Sequence, residues 1–196
     1  MPSPWQTGKI KPKKAPSADA AIEQRRPPKP ERQAVDSKEF RDAMGYFATG
    51  ITIISSVGPK GELIGVTANS FNSVSLEPPL VLFSLSRSAL SWRSFLSTQY
   101  FAVNVLSRRQ HALSTQFAKT SENKWKGVEH EFWQTGCPVI KDCLAAFECE
   151  IRYTHDGGDH IIFVGEVLRM KSNPEYRPLL FYRGQYRDLA EQDQDG

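Results

Sequence analysis

Three short segments carry side chains whose chemistry could serve a ligand. The first is IGVTANSF (64–71), in which Thr67, Asn69 and Ser70 place hydroxyl and amide groups close together. Successive side chains of a strand alternate between its faces, so the segment would present small polar groups beside the apolar run LVLFSLS (80–86). The residues alone allow either a ligand-binding surface or a structural hydrogen-bond network.

The second segment, Ser86-Arg87-Ser88, joins that apolar run to a predicted helix ending near Ser97. Free N–H groups and the helix dipole favour anions at a helix start, and the hydroxyls and the Arg87 charge would add to them. The segment is therefore a candidate phosphate site. The alternative is that Ser86, Ser88 and Ser91 only cap the helix.

The third segment is the turn Asp156-Gly157-Gly158-Asp159, which is followed by His160. It joins the predicted strands 147–155 and 160–170, and its composition is typical of a tight hairpin. His160 is either an ordinary strand residue or a group that positions or protonates a ligand. We expect His111, His130 and His155 to be structural or solvent-exposed.

Composition limits the class of protein. The 196 residues are 39% hydrophobic, enough for one core, and no apolar run approaches the ~20 residues of a membrane-spanning helix. The net charge is +3, yet residues 1–35 hold eight basic and three acidic side chains. The rest of the chain is therefore net acidic, and it gives no reason to expect nucleic-acid binding.

Composition also divides the chain. Residues 1–35 contain seven of the 13 prolines and few large apolar residues, which predicts a flexible basic extension. Residues 36–187 form the predicted folded domain, and residues 188–196 an acidic tail. Trp5 is an isolated aromatic in the extension, and one hypothesis is that it folds over the functional site.

Three cysteines, Cys137, Cys143 and Cys149, form no Cys-x-x-Cys pair. A disulfide framework or a metal site is not expected, and reduced thiols fit a cytoplasmic location. Cys149 shares a strand face with apolar residues, so we predict that it lies in the core.

The hydrophobic pattern predicts a mainly β fold. A helix is expected from Asp36, with Phe40, Met44 and Phe47 on one packed face and a stop at Gly50. A second helix is expected after Ser107, and residues 119–136 are expected to form a loop. Short antiparallel strands with helices at their breaks favour a small closed, Greek-key-like β-barrel with peripheral helices. The predicted strands are 51–57, 63–70, 80–86, 100–107, 147–155, 160–170 and 178–184.

Four runs in this order resemble the flavin reductase family, the reductase components of two-component flavin-dependent monooxygenases, which are FMN-binding split barrels. They are FRDAMGYFATGITIISS, GVTANSFNSVSLEPPLVLFSLS, HDGGDHIIFVGEV and RPLLFYRGQY. The resemblance extends from about Phe40 to Tyr186. Neither a Gly-x-Gly-x-x-Gly motif nor a phosphate-loop motif accompanies it.

The resemblance implies an NAD(P)H:flavin oxidoreductase that passes a hydride from NADH or NADPH to FMN or FAD and supplies reduced flavin to a partner monooxygenase. It also implies a homodimer. Two alternatives stay open: a reductase of another acceptor, such as a cob(II)alamin-type corrinoid, and a flavin-binding protein without enzymatic activity.

The resemblance also implies site residues. It assigns no certain catalytic group, although His160 is a candidate, and Gln116 carries no charge where the family often has arginine. Gly158, Asp159 and His160 are expected on the NAD(P)H side. The residues expected at the flavin are Ile64, Gly65, Val66, Thr67, Asn69, Ser70, Ser84, Leu85, Ser86, Leu90, Ser91, Gln116 and Phe117.

Overall fold

The computed structural model describes residue 31 and residues 33–121 and 123–189. Trp5, most of the predicted extension and most of the acidic tail lie outside these residues. The chain divides after Ser37 into two units, and every strand given below belongs to the second unit. No helix within the described ranges is both long and apolar enough to cross a membrane.

The elements alternate short strands with shorter helical segments. The first are α1 (Ser37–Met44), β1 (Thr49–Gly50), β2 (Thr52–Val57), β3 (Leu63–Ala68), β4 (Asn72–Leu76) and β5 (Pro79–Ser86). Next come α2 (Trp92–Leu96), β6 (Tyr100–Val105), a 3₁₀ turn (Arg108–Gln110) and α3 (His111–Ala118). The last are β7 (His130–Phe132), β8 (Pro138–Ile140), β9 (Ala145–Gly157), β10 (His160–Ser172), β11 (Leu180–Tyr182) and β12 (Gln185–Arg187).

Seven of these strands form one antiparallel sheet in the order β3-β2-β6-β9-β10-β5-β4. Two smaller sheets flank it, one of β1, β11 and β12 and one of β7 and β8. The edge strands of the large sheet, β3 and β4, are consecutive in the chain. Only Asn69, Ser70 and Phe71 separate them.

This short link forces the sheet to curl. Seven flat strands would place their edges about 29 Å apart, because neighbouring strands are spaced by about 4.8 Å. The link from Ala68 to Asn72 spans at most about 15 Å. The edges must therefore approach each other. Within the link, the Ser70 hydroxyl donates to the carbonyl of Ser84 in β5 (3.0 Å) and accepts from the Ser84 N–H (2.9 Å).

The result is a barrel whose two edges are not joined by a strand ladder in the described part of the chain. The prediction of a mainly β, antiparallel fold with peripheral helices is confirmed. Full closure of the barrel is not observed, because β3 and β4 share no ladder in the described residues.

Alternate residues of the barrel strands fill its interior. Val81, Phe83 and Leu85 of β5 are buried, and Phe83 stacks on Phe163 of β10 with ring centroids 4.9 Å apart. Cys149 is fully buried in the same cluster, as predicted. Burial raises the pKa of Cys149, which keeps this residue in the inert thiol form.

Several predicted elements are confirmed, and others differ. The Gly158-Asp159 hairpin joins β9 and β10, and Ser107 begins a capping box with Gln110 before α3. Strand β4 was not predicted, because Glu77 and the two prolines obscure its alternation. Strand β7 lies inside the predicted loop 119–136, where its three residues give no recognisable period.

The prediction for the first helix is wrong about where the helix ends. Helix α1 ends at Met44, and residues 49–50 form a strand instead of continuing to a stop at Gly50. Its apolar side chains are exposed in the described part of the chain, where Phe40 is 58% and Met44 53% exposed. The partner of this amphipathic face stays a prediction.

Candidate functional site

A cavity of about 470 Å³ opens at the beginning of β3. Its walls come from β3, the segment that follows β5, and the loop after α3, which are far apart in sequence. Ile64, Gly65, Val66, Leu90 and Ser91 line it, so the fold brings these five predicted site residues together. Its other polar and charged lining residues are Glu62, Ser94, Lys119, Thr120, Ser121 and Lys124.

Lys124 is the most constrained cation of this cavity. Its ammonium group donates to the carbonyl of Phe117 at 2.9 Å and to that of Gly65 at 3.3 Å. Burial lowers the pKa of Lys124. The two carbonyl contacts fix the side chain between α3 and β3, so its position is set before any ligand arrives.

Gln116 holds the backbone that carries Lys124. Its amide nitrogen donates to the carbonyls of Lys124 (2.7 Å) and Lys126 (3.1 Å). Gln116 itself does not line the 470 Å³ cavity. Gln116 therefore supports the loop that carries Lys124.

A second cavity, of about 550 Å³, lies just beyond the other end of β3. Asn69 and Ser70 line it together with Met44, Phe47 and Thr49. The Thr49 hydroxyl is buried and has no hydrogen-bond partner. A buried hydroxyl without a partner is costly, so this cavity offers a polar group that a ligand could satisfy.

Strand β3 connects the two cavities, and it is an edge strand. It pairs only with β2, so every second residue turns its backbone N–H and C=O away from the sheet. Ile64 is 92% buried in the core, which leaves its backbone as the part that a ligand could reach. The edge can thus bind a ligand without projecting side chains.

The polar strip of the opening segment has structural partners. The Thr67 hydroxyl donates to the Ser114 carbonyl of α3 at 2.7 Å, and Ser70 bridges to Ser84. Asn69 is exposed and lines the second cavity. Thr67 and Ser70 therefore belong to a structural hydrogen-bond network. Asn69 is the polar residue of this segment that a ligand can reach.

A core side chain fills the space beside position 65, so only glycine fits there without a shift. A Cβ atom at this position would lie 2.5 Å from Cε1 of Phe117. Phe117 is fully buried, so its ring cannot contact a ligand. The Phe117 ring therefore fills the space beside Gly65, and the place of Phe117 at the flavin stays a prediction.

The predicted phosphate cluster around Arg87 is not assembled. The hydroxyls of Ser86 and Ser88 bond to each other at 2.8 Å, and the Leu85 side chain lies in the core. Arg87 turns to the β9–β10 hairpin, where its Nη2 lies 3.1 Å from Asp156 Oδ2. The cations beside Ser91 are instead Lys119 and Lys124.

The residues predicted for the NAD(P)H side, Gly158, Asp159 and His160, lie in the β9–β10 turn and at the start of β10. His160 pairs with Ser86 in the β10–β5 ladder, and its Nδ1 lies 2.8 Å from Asp159 Oδ1. This hydrogen bond from His160 lowers the pKa of Asp159. Gly158 takes a positive φ of 79°, which favours glycine in the turn.

These features fit a ligand with a flat polar part and an anionic part. The open edge of β3 and the unpaired Thr49 hydroxyl suit a ring with hydrogen-bonding groups. Lys124, Lys119 and Ser91 suit a phosphate. Sequence reasoning missed both lysines and Thr49, since the 59-residue separation of Lys124 from Gly65 leaves no local signal.

Comparison with known proteins gives a consistent picture. The model of the flavin reductase like domain matches residues 44–190. HsaB, a reductase subunit of a flavin-dependent monooxygenase from Rhodococcus jostii, is 38% identical over 157 residues, covering 80% of each chain. A flavin reductase from Pseudomonas putida is 36% identical, covering 81% of this chain and 94% of that protein. The structure of SgcE6, an NADH:FAD oxidoreductase from Streptomyces globisporus, superposes with a TM-score of 0.76 at 36% identity, covering 84% of this chain and 100% of that one.

Substituting Gly65→Ala tests the origin of the small residue. We expect a loss of about 2 kcal/mol in unfolding free energy without any ligand, since the new methyl group overlaps the buried Phe117 ring. Denaturant unfolding measures the change. Gly50→Ala is the matched control, because no heavy atom lies within 4 Å of its added Cβ. Equal stability of the two variants would contradict the packing explanation.

Proposed function

The chain belongs to the flavin reductase like domain family, and on that premise we propose that it is an NAD(P)H:flavin oxidoreductase that supplies reduced flavin to a partner monooxygenase. The observation that carries the proposal is the 470 Å³ cavity on the edge of β3, with Lys124 fixed in its wall. The family relationship is the basis for the proposed reaction, and this cavity is the proposed binding site for an anionic nucleotide.

We assign the flavin to the edge of β3. Asn69, Ser70 and Thr49 would face the ring, while Ser91, Lys119 and Lys124 would bind the phosphate. A bound FMN or FAD supplies the chemistry by accepting a hydride from NADH or NADPH. The protein contributes position and charge: the backbone of Ile64–Thr67 aligns the ring, and the lysines offset the phosphate charge.

The nicotinamide nucleotide is assigned to the Gly158-Asp159-His160 turn. The ladder places His160 beside Ser86, so the turn adjoins the strand that leads to Ser91. Asp159 holds the His160 ring through Nδ1, which leaves Nε2 to meet the nucleotide or a proton. The proposed role of His160 is to position NAD(P)H.

The exposed apolar surface supports a homodimer. Phe40, Met44, Tyr46 and Phe47 are each more than half exposed, and Leu76 of β4 is 92% exposed. Exposed apolar side chains close together in the chain, such as those from Phe40 to Phe47, are typical of protein contacts. Three buried free thiols agree with a cytoplasmic location, where thiols stay reduced.

The oxidoreductase assay tests the proposal. Catalytic amounts of the chain, with excess FMN or FAD and either NADH or NADPH under anaerobic conditions, should convert free flavin to its reduced form in many turnovers. Omitting flavin should stop NADH oxidation. Conversion of no more than one flavin per chain would contradict the enzyme and favour a passive flavin-binding protein.

Substituting Lys124→Met tests the phosphate seat. We expect the Kd of FMN to rise about tenfold, the effect of losing one charge-assisted contact, while the Kd of riboflavin, which lacks phosphate, stays unchanged. Flavin fluorescence titration measures both. Lys126→Met, two residues away and exposed, is the matched control. Equal losses for FMN and riboflavin would assign Lys124 a structural role only.

Light scattering tests the dimer. At micromolar concentration the chain should have the mass of two copies, and Phe47→Asp should shift it toward one copy, because a charge would be buried in the contact. Leu189→Asp, also at an exposed apolar position, is the control. A wild-type mass of one copy would contradict the proposal.

A further inference from the structure

Arg87 contacts both sides of the β9–β10 turn. Its backbone N–H donates to the Asp159 carbonyl at 2.9 Å, and its Nε donates to the Gly158 carbonyl at 3.0 Å. Its Nη2 also donates to Asp156 Oδ2 at 3.1 Å. A single residue of the β5–α2 connection therefore holds three residues of the turn.

The turn has few other restraints on this side. Asp156 Oδ1 accepts from the Gly158 N–H at 2.8 Å, which shapes the turn internally but does not connect it to the barrel. The strand ladder reaches only as far as His160 and Ser86. Beyond that pair, Arg87 is the described residue that ties the turn to β5.

Besides the turn, the Arg87 guanidinium lies over the Trp92 ring, with Cζ 5.7 Å from the ring centroid. Arg87 does not line the 470 Å³ cavity, and its guanidinium is paired with Asp156. The pair is partly exposed, with 37% of the Arg87 and 77% of the Asp156 side chain accessible. Such pairs contribute little to folding stability, so a role in positioning a functional turn explains the arrangement better than a role in the fold.

The geometry points to Arg87 as a positioning residue that holds the Gly158-Asp159-His160 turn in register with the flavin-side segment Ser84–Ser91, so that the turn can receive the nicotinamide nucleotide. The inference rests on the proposed function. It assigns Arg87 no direct contact with flavin or nucleotide. When its side chain is removed, the binding-competent arrangement of the turn is less populated, and nucleotide affinity falls in proportion.

The test compares Arg87→Gln with Arg93→Gln. Both arginines lie over the Trp92 ring, at 5.7 and 5.0 Å, but only Arg87 reaches the turn. With saturating flavin, Arg87→Gln should raise the Kd of NAD⁺ and the KM of NADH about fivefold to tenfold. The Kd of FMN should change less than twofold, and Arg93→Gln should change none of these values. Isothermal titration gives both dissociation constants without turnover.

Two further measurements keep the inference independent of turnover. Amide hydrogen exchange at Gly158, Asp159 and His160 should be faster in Arg87→Gln, and unchanged in Arg93→Gln. Asp156→Asn retains the acceptor for the Gly158 N–H but loses the charge, so combining it with Arg87→Gln should add less than the sum of the single effects.

Three results would overturn the inference: Arg87→Gln behaving like Arg93→Gln, unchanged exchange of the turn amides, or a rise in the Kd of FMN as large as that for NAD⁺. Failure of the proposed function is distinct. In that case the wild-type chain would neither oxidise NADH with free flavin nor bind NAD⁺, whatever residue stands at position 87.

Discussion

The fold depends on the three-residue link that joins β3 to β4. These strands form the two edges of a seven-stranded sheet, yet Asn69, Ser70 and Phe71 alone connect them. The sheet must curl until its edges approach each other, and the Ser70 hydroxyl fastens the link to β5 by pairing with both backbone groups of Ser84. Because no strand pairs with the outer side of β3 in the described part of the chain, that edge keeps free backbone groups. The barrel is split at the place where a ligand can use them.

Both candidate cavities follow from this opening. They lie at the two ends of β3, and the cation of one, Lys124, arrives from a loop that Gln116 and the carbonyls of Gly65 and Phe117 hold in place. The turn that we propose for the nicotinamide nucleotide is held in a different way. There the β9–β10 turn depends on Arg87, which the β5–α2 connection supplies. The proposed flavin site along β3 and the proposed nucleotide site beside β5 are thus each completed by a segment that is remote in sequence.

The sequence predicts those parts of the structure that depend on residues close together in the chain. The apolar run LVLFSLS (80–86), the helix start at Ser107 and the Gly158-Asp159 turn are local signals, and the structure contains each of them. Roles that depend on contacts between distant residues cannot be predicted from the sequence in this way. Gly65 looks like a cradle for a flat ring, but the ring beside it is that of Phe117. Arg87 looks like a phosphate ligand, yet its partner lies 69 residues away. The packed face expected for α1 is exposed, since a periodic pattern does not say which molecule covers it.

We propose that the flavin binds along the edge of β3. A crystal structure of the chain with bound FMN tests this assignment. We expect the ring against the backbone of β3 and Asn69–Ser70, with the phosphate beside Ser91 and Lys124. Density for the flavin on the opposite edge of the sheet, or a phosphate bound by Arg87 instead of Lys124, would contradict it.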